Sequence, residues 1–418
     1  MSVLETAPEL KLSIAEISNL TEQLQEYCAI YKPLFRRAEQ REYAGDYVHG
    51  LLLDLPRKSI EPMVLTLYGA DGNAVRGMQQ FLGEGKWDDW VIRQRHWQQV
   101  NTTLGEDDGV FIVDGSDFPK QGEYSVGVKR QYCGQLGKRA NCQAGVFLGY
   151  ASRQGYTLLD CRLYLPEEWV NDEAFANKRQ RCGVPKDIKF TTKPNLALEM
   201  LKTLRQSGHL RGEWVTCDED YGKDPEFLDT IDALGLWYLA DVLPQTQVWC
   251  TRPVVQVPAY SGRGQPPKRQ RLAPGEASAQ TISDIVANLQ PQDWSTHVIK
   301  EGAKGPMVAE FAALRVINRR HKLPDAQVWL LVRRHPHTGE LKLYLSNAPA
   351  QTTLETLVRI SGMRWPIETC FEDGKQLLGM GDYEVRSFNG WHHHMTLVML
   401  AHHFLVRLQC LVKKKSLH

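Results

Sequence analysis

Three carboxylates stand where phosphoryl-transfer chemistry would want them. Asp114 closes the apolar run Val110 to Val113, Asp218 follows Trp214 to Cys217, and Glu368 lies in a late segment of helical pattern. An acid at the end of a buried strand is held rigidly, yet it points into the open edge of a sheet. Three of them converging would bind two divalent cations about 4 Å apart, an arrangement that activates a water or 3′-hydroxyl and stabilises the leaving oxygen. Mg²⁺ suits such a set because it takes few carboxylates and completes its shell with water and phosphate oxygens. A single strand-end aspartate is more often a turn-former or helix cap. The weight therefore rests on all three in this order of elements.

Cations flank the glutamate. Arg364 precedes Glu368 by one helical turn, and Lys375 follows it by two. Pro366 suits the first position of a helix and puts Glu368 in its first turn. Such flanks suit a metal beside a phosphate backbone, although a surface helix with patterned charges would read the same way. Lys120, Lys129, Arg130, Lys138 and Arg139 follow the first acid in a Gly-containing stretch that could approach a DNA backbone closely, or form a solvated hairpin. Residues 244–275 carry Arg252, Arg263, Lys268, Arg269 and Arg271 and no acid. They make either a solvated loop or an electrostatic clamp for phosphates. Trp294 could stack on a flipped base or sit in the core. Five late histidines (His392, His393, His394, His402 and His403) have helical spacing and apolar neighbours, which favour packing over metal ligation.

The elements that must position these groups can be read from periodicity. Residues 1–105 show helical spacing with few strand signals and predict an all-helical N-terminal domain. Residues 106–243 then give three strand-like runs (109–115, 142–152 and 156–165), a helix near 196–206, a strand at 214–217, a helix opened by Asp224-Pro225, and a strand at 237–243. That order predicts an α/β fold, a mixed sheet flanked by helices. Residues 244–350 read as a β-rich insertion containing the basic loop, with strands near 311–317, 327–333 and 341–346. Residues 351–418 close the chain with helices, one of which carries Glu368.

Composition sets the outer bounds. The chain has 418 residues, with 50 Lys+Arg against 49 Asp+Glu, a formal charge of +1. Near-neutrality conceals segregation, since the cations concentrate beside the acids and in the basic loop. Nine scattered cysteines without a CxxC pair exclude a zinc ribbon and fit a reducing cytosol. No basic and apolar leader opens the sequence, and the apolar stretch 395–408, broken by His402, His403 and Arg407, reads as a buried helix and not a membrane span. These features predict a soluble cytoplasmic protein.

Four segments, VDGSDFPKQGEYSVGVKRQYCGQLGK (113–138), TCDEDYGKDPEF (216–227), RWPIETCFEDGK (364–375) and GDYEVRSFNGW (381–391), together resemble the DDE transposases of bacterial insertion sequences. The resemblance implies a ribonuclease H-like core, with the β-rich insertion before the helix that bears the glutamate. It implies Asp114, Asp218 and Glu368 as the metal-binding triad for two Mg²⁺ ions, with Mn²⁺ able to substitute. Arg364 and Lys375 match the Arg and Lys of the family's Tyr-Arg-Glu-Lys signature, and Arg386 falls in the motif after it. The tyrosine of that signature is Ser361 here, and Gly115 stands where relatives often carry a second acid, which leaves Asp117 as a rival first ligand. The implied partners are double-stranded DNA, as element ends and target, and a second copy in a synaptic homodimer at the nucleoid. Two other outcomes fit the same residues: a DNA-binding or targeting protein retired from catalysis, and a nuclease without strand transfer.

Overall fold

The computed structural model describes residues 14–260, 262, 265–302 and 305–416. The first thirteen residues, on which the leader reading partly rests, and Arg263 of the basic loop lie outside the described residues.

Five helices open the chain: α1 (Ile14–Ala29), α2 (Ala38–Leu52), α3 (Ile60–Tyr68), α4 (Gly72–Gly83) and α5 (Asp89–Leu104). They are followed by β1 (Val110–Pro119), β2 (Lys129–Cys133), β3 (Lys138–Ala151) and β4 (Tyr156–Tyr164). Helices α6 (Glu167–Asn171), α7 (Ala176–Arg181) and α8 (Lys193–Ser207) lead to β5 (Trp214–Cys217). Next come α9 (Glu219–Gly222), α10 (Pro225–Ala233) and β6 (Trp237–Asp241). The insertion supplies β7 (Gln247–Trp249), β8 (Val255–Gln256), β9 (Arg271–Leu272), β10 (Gln280–Thr281) and α11 (Ile282–Ala287). It continues with β11 (Ser295–Gly302), β12 (Gly305–Arg320), β13 (Leu323–Arg334) and β14 (Leu341–Ser346). Helices α12 (Leu354–Gly362), α13 (Pro366–Leu377) and α14 (Phe388–Ser416) finish the fold.

The centre of the sheet has the strand order β4-β3-β1-β5-β6. β1 is antiparallel to β3 and parallel to β5, and β5 is parallel to β6. This is the mixed α/β sheet expected of a ribonuclease H-like core. Local chemistry explains its edges. The Asp224 side chain accepts from the N–H groups of Glu226 and Phe227, with Pro225 in the first turn, so α10 starts where the Asp-Pro pair predicts. Helix α8 is capped by Thr192 and buries Leu198, Met200, Leu201 and Leu204.

The structure corrects two expectations, on the first strand and on the N-terminal helices, and shows how the basic stretch and the insertion pair. Asp114 does not end its strand, because β1 continues to Pro119 along β3. What ends at Val113 is the parallel pairing with β5. Part of the basic stretch after β1, read as a loop or a solvated hairpin, is a largely exposed hairpin in which β2 pairs antiparallel with the start of β3. The strands of the β-rich insertion join the core sheet, for β14 pairs with β6, and β13, β12 and β7 extend it outward, while β8 and β9 form a two-stranded ribbon apart from it. Lastly, the N-terminal helices have no core of their own. Tyr27, Tyr47, Leu51 and Phe81 share one apolar cluster with Ile112, Phe147, Trp391 and Met395.

Helix α14 is the axis of that cluster. It is long and apolar enough to cross a membrane by length and composition, but most of its apolar window is buried inside the fold. All five late histidines are buried. The Tyr47 hydroxyl lies 2.8 Å from His394 Nδ1 and the Tyr27 hydroxyl 3.0 Å from His403 Nδ1. Burial holds His392 down at about 4 and His394 at about 3.

Candidate active site

Sheet register places three aspartates side by side. Val113 pairs with Cys217, and Cys217 with Ala240, across three adjacent parallel strands. The next residue on each strand is Asp114, Asp218 and Asp241. Alternation along a strand sends these three to the same face as Ile112, Trp214 and Leu239, the face covered by the C-terminal helices. The row lies beyond the carboxyl ends of β5 and β6, where open α/β sheets bind their ligands. Asp241 was missed in the sequence because its strand reads simply as a buried run. Its signal was its position one residue beyond the paired row.

Asp117, the rival first acid, is three residues further along β1 and so belongs to the opposite face. Its Oδ2 accepts from the Gly134 N–H at 2.6 Å, and its carbonyl accepts from Lys375 Nζ at 3.2 Å. Geometry favours Asp114.

Glu368 enters from above. Pro366 occupies the first turn of α13, and the Glu368 N–H donates to the Trp365 carbonyl at 3.0 Å. Trp365 itself has helical dihedrals (φ −52, ψ −37), although a residue before proline usually avoids them. Ile367, Cys370 and Phe371 bury the other side of α13 in the main core. Glu368 is thereby held over the sheet at a helix N-terminus, where a negative charge is stabilised.

Arg364 joins the acids. Its Nη2 lies 2.6 Å from Glu368 Oε1, its Nη1 3.6 Å from Asp114 Oδ2, and its Nε 3.7 Å from Asp241 Oδ2. Burial pushes Asp114 up to about 7, and the Asp218 charge adds to it; the Gly115 N–H and Arg364 pull the other way. Burial likewise raises Asp241 to about 6 against the pull of Arg364. Asp218 is also raised, by burial and then by Asp220. Its Oδ1 caps α9 by accepting from the N–H groups of Asp220 (3.0 Å) and Tyr221 (3.3 Å). It is therefore both a helix cap, the common role of a strand-end aspartate, and a member of the row.

The donor set fits a divalent metal. It consists of hard carboxylate oxygens crowded in a poorly solvated row that one guanidinium does not neutralise. Among the described residues no three such side chains are yet drawn close enough to hold one ion.

The other predicted contacts are dispersed. Lys375 is half-buried, as is Lys120, whose Nζ donates to the Tyr383 carbonyl at 3.1 Å and lies over the Tyr383 ring; burial lowers Lys120 to about 8. Lys129 pairs with Glu168 at 2.6 Å. Arg130, Lys138, Arg139, Arg386, Lys268, Arg269 and Arg271 are exposed. The Trp294 ring is half-buried with Arg334 stacked over it at 3.9 Å. Ser361, at the signature's tyrosine position, is buried and donates to the Val358 carbonyl within its own helix at 2.7 Å.

Residues 31–306 match the family described as DDE superfamily endonuclease. The chain belongs to that family. It is also 30% identical over 226 residues to a protein named as the probable transposase for insertion sequence element IS701 of Microchaete diplosiphon. That match covers 52% of this chain and 53% of the relative, so the chain spans about half the length of the curated relative it matches. The DDE superfamily endonucleases generally depend on divalent metal and act on DNA.

Proposed function

We propose that the chain is an insertion-sequence transposase that binds the terminal inverted repeats of its element, hydrolyses a phosphodiester bond at each end, and joins the released 3′-hydroxyl to target DNA. The observation that carries this reading is the aligned row Asp114, Asp218 and Asp241 on adjacent parallel strands, closed from above by Glu368. Asp114, Asp218 and Glu368 would hold the metal, which when bound supplies charge neutralisation and activates the attacking oxygen.

The chain's own residues do the rest by positioning. The strands fix the aspartates, and α13 lowers Glu368 toward them. Arg364 and Lys375 set the register of the phosphate backbone, and the covering helices limit water at the row. Exposed Lys268, Arg269 and Arg271 project from the β8–β9 ribbon, outside the main sheet, as a clamp for DNA phosphates. End recognition is assigned to the N-terminal helices, where Arg36, Arg37 and Lys86 line a groove together with Glu39 and Glu84. Handling two ends at once calls for a homodimer.

The test is a cleavage and joining reaction on DNA carrying both element ends, with Mg²⁺. Wild type should yield cut ends and joined products. Asp218→Asn and Glu368→Gln should lower both by at least about a thousandfold, as expected when preorganised charge is removed from a phosphoryl-transfer site. Wild-type rates in either variant would refute the assignment, and cutting without joining would make the protein a nuclease.

A further inference from the structure

Arg364 is placed differently from the other cations near the site. Its guanidinium reaches three carboxylates at once, Glu368, Asp114 and Asp241, and its side chain is only 15% exposed. Lys375, two turns after Glu368, instead donates to the Asp117 carbonyl. Arg364 therefore serves as the cluster's built-in cation.

We propose that Arg364 competes with the divalent metal for the acid row, so that metal binds tightly only when the guanidinium is drawn away. This inference rests on the reading of Asp114 and Glu368 as metal ligands. The guanidinium hydrogen-bonds Glu368 and stands beside Asp114, two of the three carboxylates that would ligate the ion. Two cations held a few ångströms apart in a half-buried site also repel strongly. The backbone around Arg364 allows the exchange. Residues 363–365 bridge the end of α12 and the start of α13, and the adjacent Trp365 is 54% exposed. The arginine can thus swing outward without disturbing the strands.

A phosphodiester is the substrate group best matched to receive it, since guanidinium and phosphate pair through two parallel hydrogen bonds. DNA and metal are then linked through one side chain, each raising the affinity for the other.

The experiment titrates Mn²⁺ into the full chain without DNA, reading free Mn²⁺ by electron paramagnetic resonance. Arg364→Gln should bind Mn²⁺ at least about tenfold more tightly than wild type, given the strength of close charge repulsion. Arg364→Lys keeps the charge but cannot span three carboxylates, and should fall between them. It carries the test if the glutamine variant loses its fold by circular dichroism. A short random-sequence duplex should tighten Mn²⁺ binding more in wild type than in Arg364→Gln.

Equal or weaker binding in both arginine variants would overturn the proposal, as would equal gains from DNA. If Asp114→Asn still abolished binding in that case, the metal-site reading would survive. If Asp114→Asn and Glu368→Gln left Mn²⁺ binding unchanged, the site reading would fail and this proposal with it.

Discussion

His394 makes the packing of the fold sensitive to acid, and the size of the effect can be worked out. Its Nδ1 lies 2.8 Å from the Tyr47 hydroxyl and its Nε2 3.3 Å from the Met380 carbonyl. The neutral ring satisfies both partners, accepting from Tyr47 and donating to Met380. Burial depresses its pKa from 6.5 to about 3, with the Lys120 charge adding a little. Between those values the unfolded chain takes up a proton that the folded chain refuses. Stability is therefore complete above pH 6.5 and falls as pH drops, by up to about 1.4 kcal/mol per unit for this one residue. From pH 7.5 to pH 5 the loss is about 2 kcal/mol, a sizeable part of a typical stability of about 5–15 kcal/mol. Asp114 and Asp241, raised to about 7 and about 6, work in the opposite direction. In their case the folded state takes up the proton first. A single pH profile mixes these signs, so the informative quantity is the difference between wild type and His394→Gln in urea melts. At pH 7.5 the variant should be less stable by about 1–2 kcal/mol, because Tyr47 loses its acceptor. At pH 5 that gap should close or reverse. A gap that stays constant to within about 0.5 kcal/mol would show that His394 titrates normally and that its burial imposes no proton penalty.

Three further outcomes follow from the same structure. Arg93→Met leaves the fully buried Asp160 with Arg162 as its remaining cation, and should cost about 3–5 kcal/mol in a urea melt. Gly222→Ala would place a methyl 2.0 Å from the Asp241 carbonyl oxygen, pushing α9 and its cap Asp218 off β6. A stability cost of about 1–3 kcal/mol is expected from such overpacking. Because the site needs its geometry held closely, DNA cleavage should fall by at least about tenfold. Replacing Lys268, Arg269 and Arg271 by glutamine should flatten the salt dependence of DNA binding by about 0.9 in log–log slope for each phosphate that is no longer neutralised. An unchanged slope would take the loop off the DNA.

What could be read from the sequence depended on how local its cause was. Asp224-Pro225 announced α10 because cap and first-turn chemistry are settled within a few residues. That the late histidines pack was legible from helical spacing and apolar neighbours together. Asp114, Asp218 and Glu368 were singled out through motif words; in the structure Asp114 and Asp218 stand at the ends of one paired register, and Arg364 bridges Asp114 to Glu368. Asp241 escaped because nothing near it in the chain marks it; its place in the row arises from register across three strands. The fusion of the insertion with the core sheet escaped for a similar reason. The pairing of β14 with β6 joins residues about a hundred positions apart, and periodicity carries no record of such a partner. The single core shared by the N-terminal helices and α14 is again a long-range fact, visible only once Tyr27 and Tyr47 meet His403 and His394.

The pairing of β14 with β6 changes what the insertion does for the site. Tyr344 of β14 is the register partner of Asp241, and Leu345 that of Ala240. Without β14, β6 would be the edge of the sheet, and an edge strand's end is among the first parts of a fold to open. Asp241 would then sit on a fraying terminus, and its grip on Arg364 would fluctuate with it. With β14 in place, and β13 and β12 behind it, β6 is paired on both edges up to Ala240 and Asp241 itself is held by Tyr344. The same polypeptide carries the basic β8–β9 ribbon that is proposed to hold DNA. One insertion thus braces β6 and carries the charge proposed to meet DNA, and the two contributions are separable. Charge removal in the ribbon should alter DNA affinity while leaving the Arg364–Asp241 contact intact. Loosening of β14 should do the reverse.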